Sequence, residues 1–180
     1  MAKLLYSATM SLDGFIAGPG GDMSWLAGHL GDNPTVDGLV PRVGSILSGA
    51  RSFFGDDPHR GTENEGEAFG GGWEGQQFVL THHPPAEPVP GVTFGADLGT
   101  AVTAAKAAAG DGYVNVIGAD VARQCIEAGL LDEVLVFTAP VFLGDGVRLF
   151  DRPGGTRVLL EQVQVSALRH CTGIWLRVVG

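Results

Sequence analysis

The sequence predicts an α/β domain of three layers, αβα, with a mixed sheet that ends in an antiparallel hairpin. Three observations carry this. Short apolar runs alternate with helical stretches up to residue 138, and only strand patterns follow. The two clearest helical stretches carry end signals, Asp97 before one and Gly129 after the other. A chain of 180 residues that is 44% hydrophobic and 17% charged can bury a core. Neither a repeat nor a linker divides it, so 1–180 reads as one domain.

The elements follow in order. Lys3 to Met10 alternates and reads as a strand. Ser11 to Ser24 is a loop with Gly14, Gly18, Gly20 and Gly21, expected to act as a flexible flap. Trp25 to Leu30 fits a short helical turn. Val43 to Ser48 is an apolar run ending at Gly49, as a buried strand does. Gln76 to Thr81 is another, closed by His82-His83-Pro84-Pro85. Gly91 to Phe94 is a short strand. Asp97 to Ala109 is the clearest helix, with Ala101, Ala104, Ala105 and Ala108 on one face. Tyr113 to Ile117 is a strand and Asp120 to Ala128 a helix. Glu133 to Thr138 is a strand, and Val158 to Val165 with Ile174 to Val179 form the closing hairpin.

Charge excludes some partners. Eleven Lys and Arg against 20 Asp and Glu give a net charge of −9. An acidic chain without a basic run is a poor ligand for nucleic acid or an anionic membrane, because phosphate contacts need clustered cations. One local cationic pocket for a small anion is still allowed. No stretch approaches the ~20 apolar residues needed to span a bilayer, and no leader pattern opens the chain. Cys125 and Cys171 sit in apolar surroundings and read as buried free thiols of a reducing compartment, so a cytoplasmic protein is expected.

Glycine is in excess, 29 of 180 residues against a usual ~7%. Seven fall between Gly55 and Gly75, among Asp56, Asp57, Glu63, Glu65, Glu67 and Glu74. Such a run is either a binding flap or a surface insertion.

Four loops lie where an α/β sheet collects ligands, beyond the carboxyl ends of strands. They are the 11–25 flap, Gly49-Ala50-Arg51-Ser52, Thr81-His82, and Gly118-Ala119-Asp120-Val121. An Arg and a hydroxyl at a helix start can hold a phosphate. The small residues of the last loop let a pyrophosphate approach backbone amides. A G-x-G-x-x-G fingerprint, a P-loop and a nucleophile elbow are all missing. His82-His83 and His170-Cys171 lack metal-ligand spacing, so no metal is expected.

Three stretches give these loops a family. YSATMSLDGFIAGPGGDMSWL, FVLTHHPP and, above all, VNVIGADVARQCIEAGLLDEVLVFTAPVFLGDGVRLF over 114–150 resemble the dihydrofolate reductase-like superfamily. Within it the chain is most similar to the reductase (C-terminal) domain of bifunctional riboflavin biosynthesis proteins and its stand-alone relatives. The resemblance covers essentially the whole chain. It implies NADPH as hydride donor, a small heterocyclic substrate and a homodimer.

The resemblance also implies site residues. Ala8, Ile16 and Ala17 would approach the nicotinamide and its ribose. Gly49, Arg51 and Ser52 match a phosphate-holding Gly-Arg-x-Thr turn, with the cation moved from position 50 to Arg51. Thr81 and His82 would flank the 2′-phosphate. Gly118, Ala119, Asp120 and Val121 match the Gly-Gly turn and helix start under the pyrophosphate, with Ala119 in place of the second glycine. A cis Gly118–Ala119 bond is expected there by analogy with the family. Phe15, Trp25 and Phe137 would line the substrate side, and no side chain stands out as proton donor.

Two departures bear on substrate. Leu30 stands where true dihydrofolate reductases carry an acid, and Ile117 where riboflavin-pathway reductases tend to carry Glu. Asp57-Pro58 with Arg60 is similar to the latter's substrate-contacting segment at a different spacing. The leading expectation is an NADPH-dependent reductase of the riboflavin-biosynthesis type. A dihydrofolate or pterin reductase and a non-catalytic NADP-binding module are the alternatives.

Overall fold

A computed structural model describes residues 1–180. Its core is an eight-stranded sheet built from β1 (Lys3–Ser11), β3 (Val43–Gly49), β4 (Gln76–Leu80), β5 (Val92–Gly95), β6 (Tyr113–Ile117), β7 (Glu133–Ala139), β9 (Leu159–Ala167) and β10 (Thr172–Val179). The strand order is β5-β4-β3-β6-β1-β7-β10-β9. The first six in chain order pair in parallel. β10 then runs antiparallel to both β7 and β9, as the alternation followed by strands alone requires. A two-stranded ribbon of β2 (Phe15–Ala17) and β8 (Val147–Arg148) stands apart.

Central parallel strands are covered on both faces, so β3, β6 and β7 read as largely apolar runs. Successive residues of one strand still serve opposite layers. Leu4, Tyr6, Val114, Val116, Val134 and Val136 point into one core with α3 (Leu98–Ala109) and α4 (Ala119–Glu127). Leu5, Ile46, Tyr113, Leu135 and Phe137 point into the other, with Leu39 of α1 (Pro34–Leu39) and Trp175. Cys125 lies in the first core and Cys171 in the second.

Asp97 caps α3 by accepting a hydrogen bond from the Thr100 amide at 2.8 Å. The buried face is Ala101, Val102, Ala105 and Ala109, and Ala108 is exposed. The helix is thus rotated from the all-alanine stripe towards Val102, the bulkiest apolar side chain in its middle. Past α4, Gly129 adopts φ 66°, and the Leu130 amide donates to the Cys125 carbonyl at 2.8 Å. This is the left-handed helix stop that glycine supplies cheaply.

Three features escape the pattern reading. α1 follows Asn33, whose side chain accepts from the Thr35 and Val36 amides, with Pro34 at the first turn. The β2–β8 ribbon forms inside what reads as a flexible loop. Trp73 is a buried anchor of the glycine-rich 55–75 segment, its indole N–H donating to the Val43 carbonyl at 2.8 Å.

At the amino ends of the strands a buried carboxylate joins three elements. Glu133 accepts from Lys3 Nζ at 2.8 Å, Tyr113 Oη at 3.0 Å and Trp175 Nε1 at 2.8 Å. Burial pushes its carboxyl up, but the bonds from Lys3, Trp175 and Tyr113, with the Lys3 charge, outweigh this and hold it below 4.5. No helix of the chain is long and apolar enough to cross a membrane.

Candidate active site

Beyond the carboxyl ends of β1, β3, β4 and β6 lies an open cleft of about 2090 Å³. All twelve residues expected at the cofactor line it: Ala8, Ile16, Ala17, Gly49, Arg51, Ser52, Thr81, His82, Gly118, Ala119, Asp120 and Val121. Ten come from β1, β3, β4 and β6 and the turns that follow them, brought together by parallel pairing, and Ile16 and Ala17 come from β2 of the ribbon.

The centre of this wall is the contact between two turns. β3 ends at Gly49 and passes into α2 (Ala50–Phe53), and β6 ends one residue before Gly118. A Cβ on Gly118 would collide with Ser52 Oγ, and one on Gly49 would come within 3.2 Å of Val121 Cγ2. The Gly118–Ala119 bond is trans, against expectation, as the chain has no cis peptide. Gly118 makes the turn itself, at φ 100° and ψ 136°, which spares a non-proline residue a costly cis bond.

No side chain caps α4, so the amides of its first turn are left for a ligand. Asp120 sits among them, but its carboxylate bonds Arg123 at 2.7 Å and Gln124 at 3.0 Å. Those bonds hold it below the usual carboxylate range, the Arg123 bond foremost, with the Arg51 charge adding to the effect. Four arginines line the cleft: Arg51, Arg60, Arg123 and Arg148. Arg60 pairs with Asp56 at 2.8 Å and Arg123 with Asp120 and Glu127. Arg51 and Arg148 pair with no carboxylate.

The substrate-side expectations divide. Phe15 lines the cleft, but its ring lies under the Arg148 guanidinium, 4.6 Å from the centroid. Phe137 does not reach the cleft. Strand alternation turns it into the second core, where it is 5% exposed. Trp25 does not reach it either. It belongs to a 3₁₀ helix, Ser24–His29, whose three-residue period aligns Met23 and Leu26 with the cleft instead.

Further lining comes from residues to which, the glycine-rich segment apart, the sequence assigns no role. Asp56, Asp57, His59, Arg60 and Phe69 of the glycine-rich segment line the cleft, as do Gly144 to Arg148 and the hydroxyl residues Ser7, Thr9 and Ser48. Composition and the Asp57-Pro58…Arg60 similarity mark the first group, and nothing marks the hydroxyls. Ser48 Oγ is buried without a hydrogen-bond partner, a state that native proteins rarely leave unmet by water or ligand. Asp56 accepts from the Met23 amide at 2.9 Å, which ties the segment to the flap.

The flap is itself pinned, contrary to the flexible loop expected. The Leu12 amide donates to the Val141 carbonyl at 2.8 Å, and the Leu149 amide to the Gly14 carbonyl at 2.9 Å. Asp13 accepts from the Leu143 amide at 3.1 Å and the Gly144 amide at 2.7 Å. Its carboxyl is held down to about 2, chiefly by the Ser11 hydroxyl and then by these amides.

Comparison with known proteins agrees with this geometry. The family model of the RibD C-terminal domain matches residues 2–173. No curated protein matches the sequence. Among solved structures, a protein from a Shewanella species named for riboflavin biosynthesis superposes with a TM-score of 0.74 at 20% identity, covering 100% of both chains. The riboflavin biosynthesis reductase Rib7 of Saccharomyces cerevisiae gives 0.67 at 16% identity, over 99% of this chain and 90% of its own. A deaminase/reductase from Thermotoga maritima gives 0.66 at 18% identity. The chain covers 99% of itself but only 57% of that bifunctional protein. At these identities the structures show the fold.

Proposed function

We propose that this chain, which belongs to the RibD C-terminal domain family, is an NADPH-dependent reductase of the riboflavin-biosynthesis type acting on a small heterocyclic substrate. One observation carries the reading. Twelve residues chosen for a dinucleotide converge on one cleft, where an uncapped helix start and an unpaired Arg51 meet two glycine-bearing turns. The fit is physical. The amides of Ala119, Asp120 and Val121 suit a pyrophosphate, with Arg51 beside them as counter-charge. Thr81 and His82 suit the 2′-phosphate. Ala8 and Ala17 are small enough, and Ile16 apolar enough, to let a nicotinamide lie between β1 and β2. When bound, NADPH would supply the hydride.

The chain's own residues then orient and shield. The β2–β8 ribbon covers one side of the cleft, and Met23, Leu26 and Phe69 give the other an apolar surface on which a flat ring can rest. Titration of the protein with NADPH and with NADH tests the cofactor. Tighter NADPH binding is expected; binding of neither at millimolar concentration would sink the proposal. Turnover of a ribosylaminopyrimidine against dihydrofolate, with NADPH oxidation followed at each, then sorts the riboflavin-type reading from the pterin one. Binding without oxidation across the panel would point to a non-catalytic module.

The same reading makes the protein a cytoplasmic homodimer. Its support is the edge strand β9, exposed along nearly its whole length with Leu159, Leu160, Val163 and Val165 open. Light scattering should give twice 18.7 kDa; a monomer mass would remove the dimer.

A further inference from the structure

Asp13 lies outside the cleft, yet it joins the two loops that form one wall. Its Oδ1 accepts from the Ser11 hydroxyl and the Leu143 amide, and its Oδ2 from the Gly144 amide. Ser11 Oγ in turn accepts from the Phe15 amide at 3.0 Å. Ser11 is fully buried, so the Ser11–Phe15 end of this relay is shielded from water, while the Asp13–Gly144 end lies at the surface. Through it one carboxylate fixes the start of β2 and the loop that leads to β8.

The consequence reaches Ile16 and Ala17. Ala17 pairs with Val147, and Phe15 with Arg148. Gly146 packs so tightly on the Ala17 carbonyl and Gly18 that a Cβ would collide with them. Backbone thus touches backbone directly behind the residues assigned to the nicotinamide. A shift of the Leu143–Gly144 turn passes straight into the Ile16–Ala17 wall, and no soft side chain lies between to absorb it.

We propose that Asp13 is a positioning residue, a clasp that holds the Ile16–Ala17 wall at the height the nicotinamide half of the cofactor requires. The inference rests on the NADPH reading. It separates the two halves of the cleft: the adenosine half is built from the Gly49, Thr81 and Gly118 turns, none of which Asp13 touches. An asparagine cannot replace it. Whichever way the amide is turned, its NH₂ faces the Leu143 or the Gly144 N–H, donor against donor.

The test compares two ligands on Asp13→Asn and Ser11→Ala. NADPH probes both halves of the cleft, and adenosine 2′,5′-bisphosphate probes only the adenosine half. Calorimetric titration should show NADPH weakened about tenfold by Asp13→Asn, the equivalent of one charge-assisted hydrogen bond. Binding of the bisphosphate should be unchanged. Ser11→Ala, which keeps the carboxylate and its two amide bonds, should show the same selective loss at smaller size and serves if Asp13→Asn does not fold. Affinities unchanged from wild type for both ligands, or equal losses on both, would overturn the clasp. Wild-type protein that binds neither ligand would instead refute the cofactor reading on which it rests.

Discussion

Gly118→Ala strikes the point where fold and cofactor wall meet. Two penalties add there. The first is backbone: at φ 100° and ψ 136° a residue with a Cβ is strained by about 1–3 kcal/mol. The second is steric: the new methyl collides with Ser52 Oγ, and turning that hydroxyl off its rotamer costs about 0.5–1.5 kcal/mol. Together they predict a loss of about 2–4 kcal/mol. In a chain of this size that lowers the melting temperature by roughly 4–16 °C. The two parts can be separated. Ser52→Ala removes the colliding oxygen and leaves Ser52's own Cβ at 3.4 Å from the added methyl, an ordinary contact. The double variant Gly118→Ala/Ser52→Ala should therefore regain about 0.5–1.5 kcal/mol over the sum of the single effects while keeping the backbone part. Urea denaturation of the four proteins measures the cycle. A Gly118→Ala protein as stable as wild type would refute the strained turn, and strictly additive single effects would refute the contact with Ser52.

Two further outcomes follow. Glu133→Gln keeps the shape but loses the charge that binds Lys3, Tyr113 and Trp175, and should cost about 2–3 kcal/mol by chemical denaturation. Because the folded-state carboxyl lies below its ordinary 4.5, its contribution is present above that value and fades as pH falls through the folded one. The gap between wild type and Glu133→Gln should thus narrow as pH falls below 4.5; a gap constant with pH would contradict the assignment. Arg51→Ala should weaken NADPH about tenfold, one charge-assisted contact. NADH should be weakened equally, because Arg51 stands beside the pyrophosphate that both cofactors carry; a larger loss for NADPH would move Arg51 to the 2′-phosphate.

What was legible in the sequence was what the backbone dictates. The strands around β6 read directly because burial on both faces leaves them largely apolar, and Asp97 and Gly129 mark helix ends by chemistry that needs no partner. The cofactor wall read for the same reason: it is made of turns, where small residues identify themselves. Side-chain direction was not legible. Phe137 alternates into the core by the register of β7 with β10, and Trp25 turns away because its helix winds at three residues per turn, neither of which composition reveals. The flap reads as a free loop because its restraints come from residues 141–149, more than a hundred positions away. Asp13 and its partners Leu143 and Gly144 form a pattern only once β1 and β7 lie side by side.

The glycine-rich segment is the place where the two readings, wall or insertion, give opposite measurable results. A loose insertion would be held only at its ends. Here Asp56 bonds the flap at Met23, Ala68 and Phe69 pack against the second core, and Trp73 buries its indole against Val43. Trp73 is the strongest of these, since its ring fills the second core beside Leu39 and Val43. Trp73→Phe keeps most of that apolar burial but leaves the Val43 carbonyl without its indole partner, a local loss of about 1–2 kcal/mol. Amide exchange should then quicken by roughly five- to thirty-fold across residues 66–75, with the Gln76–Leu80 strand unchanged. Exchange already fast across this segment in the wild type, and indifferent to the substitution, would return it to an insertion and leave the cleft with one wall.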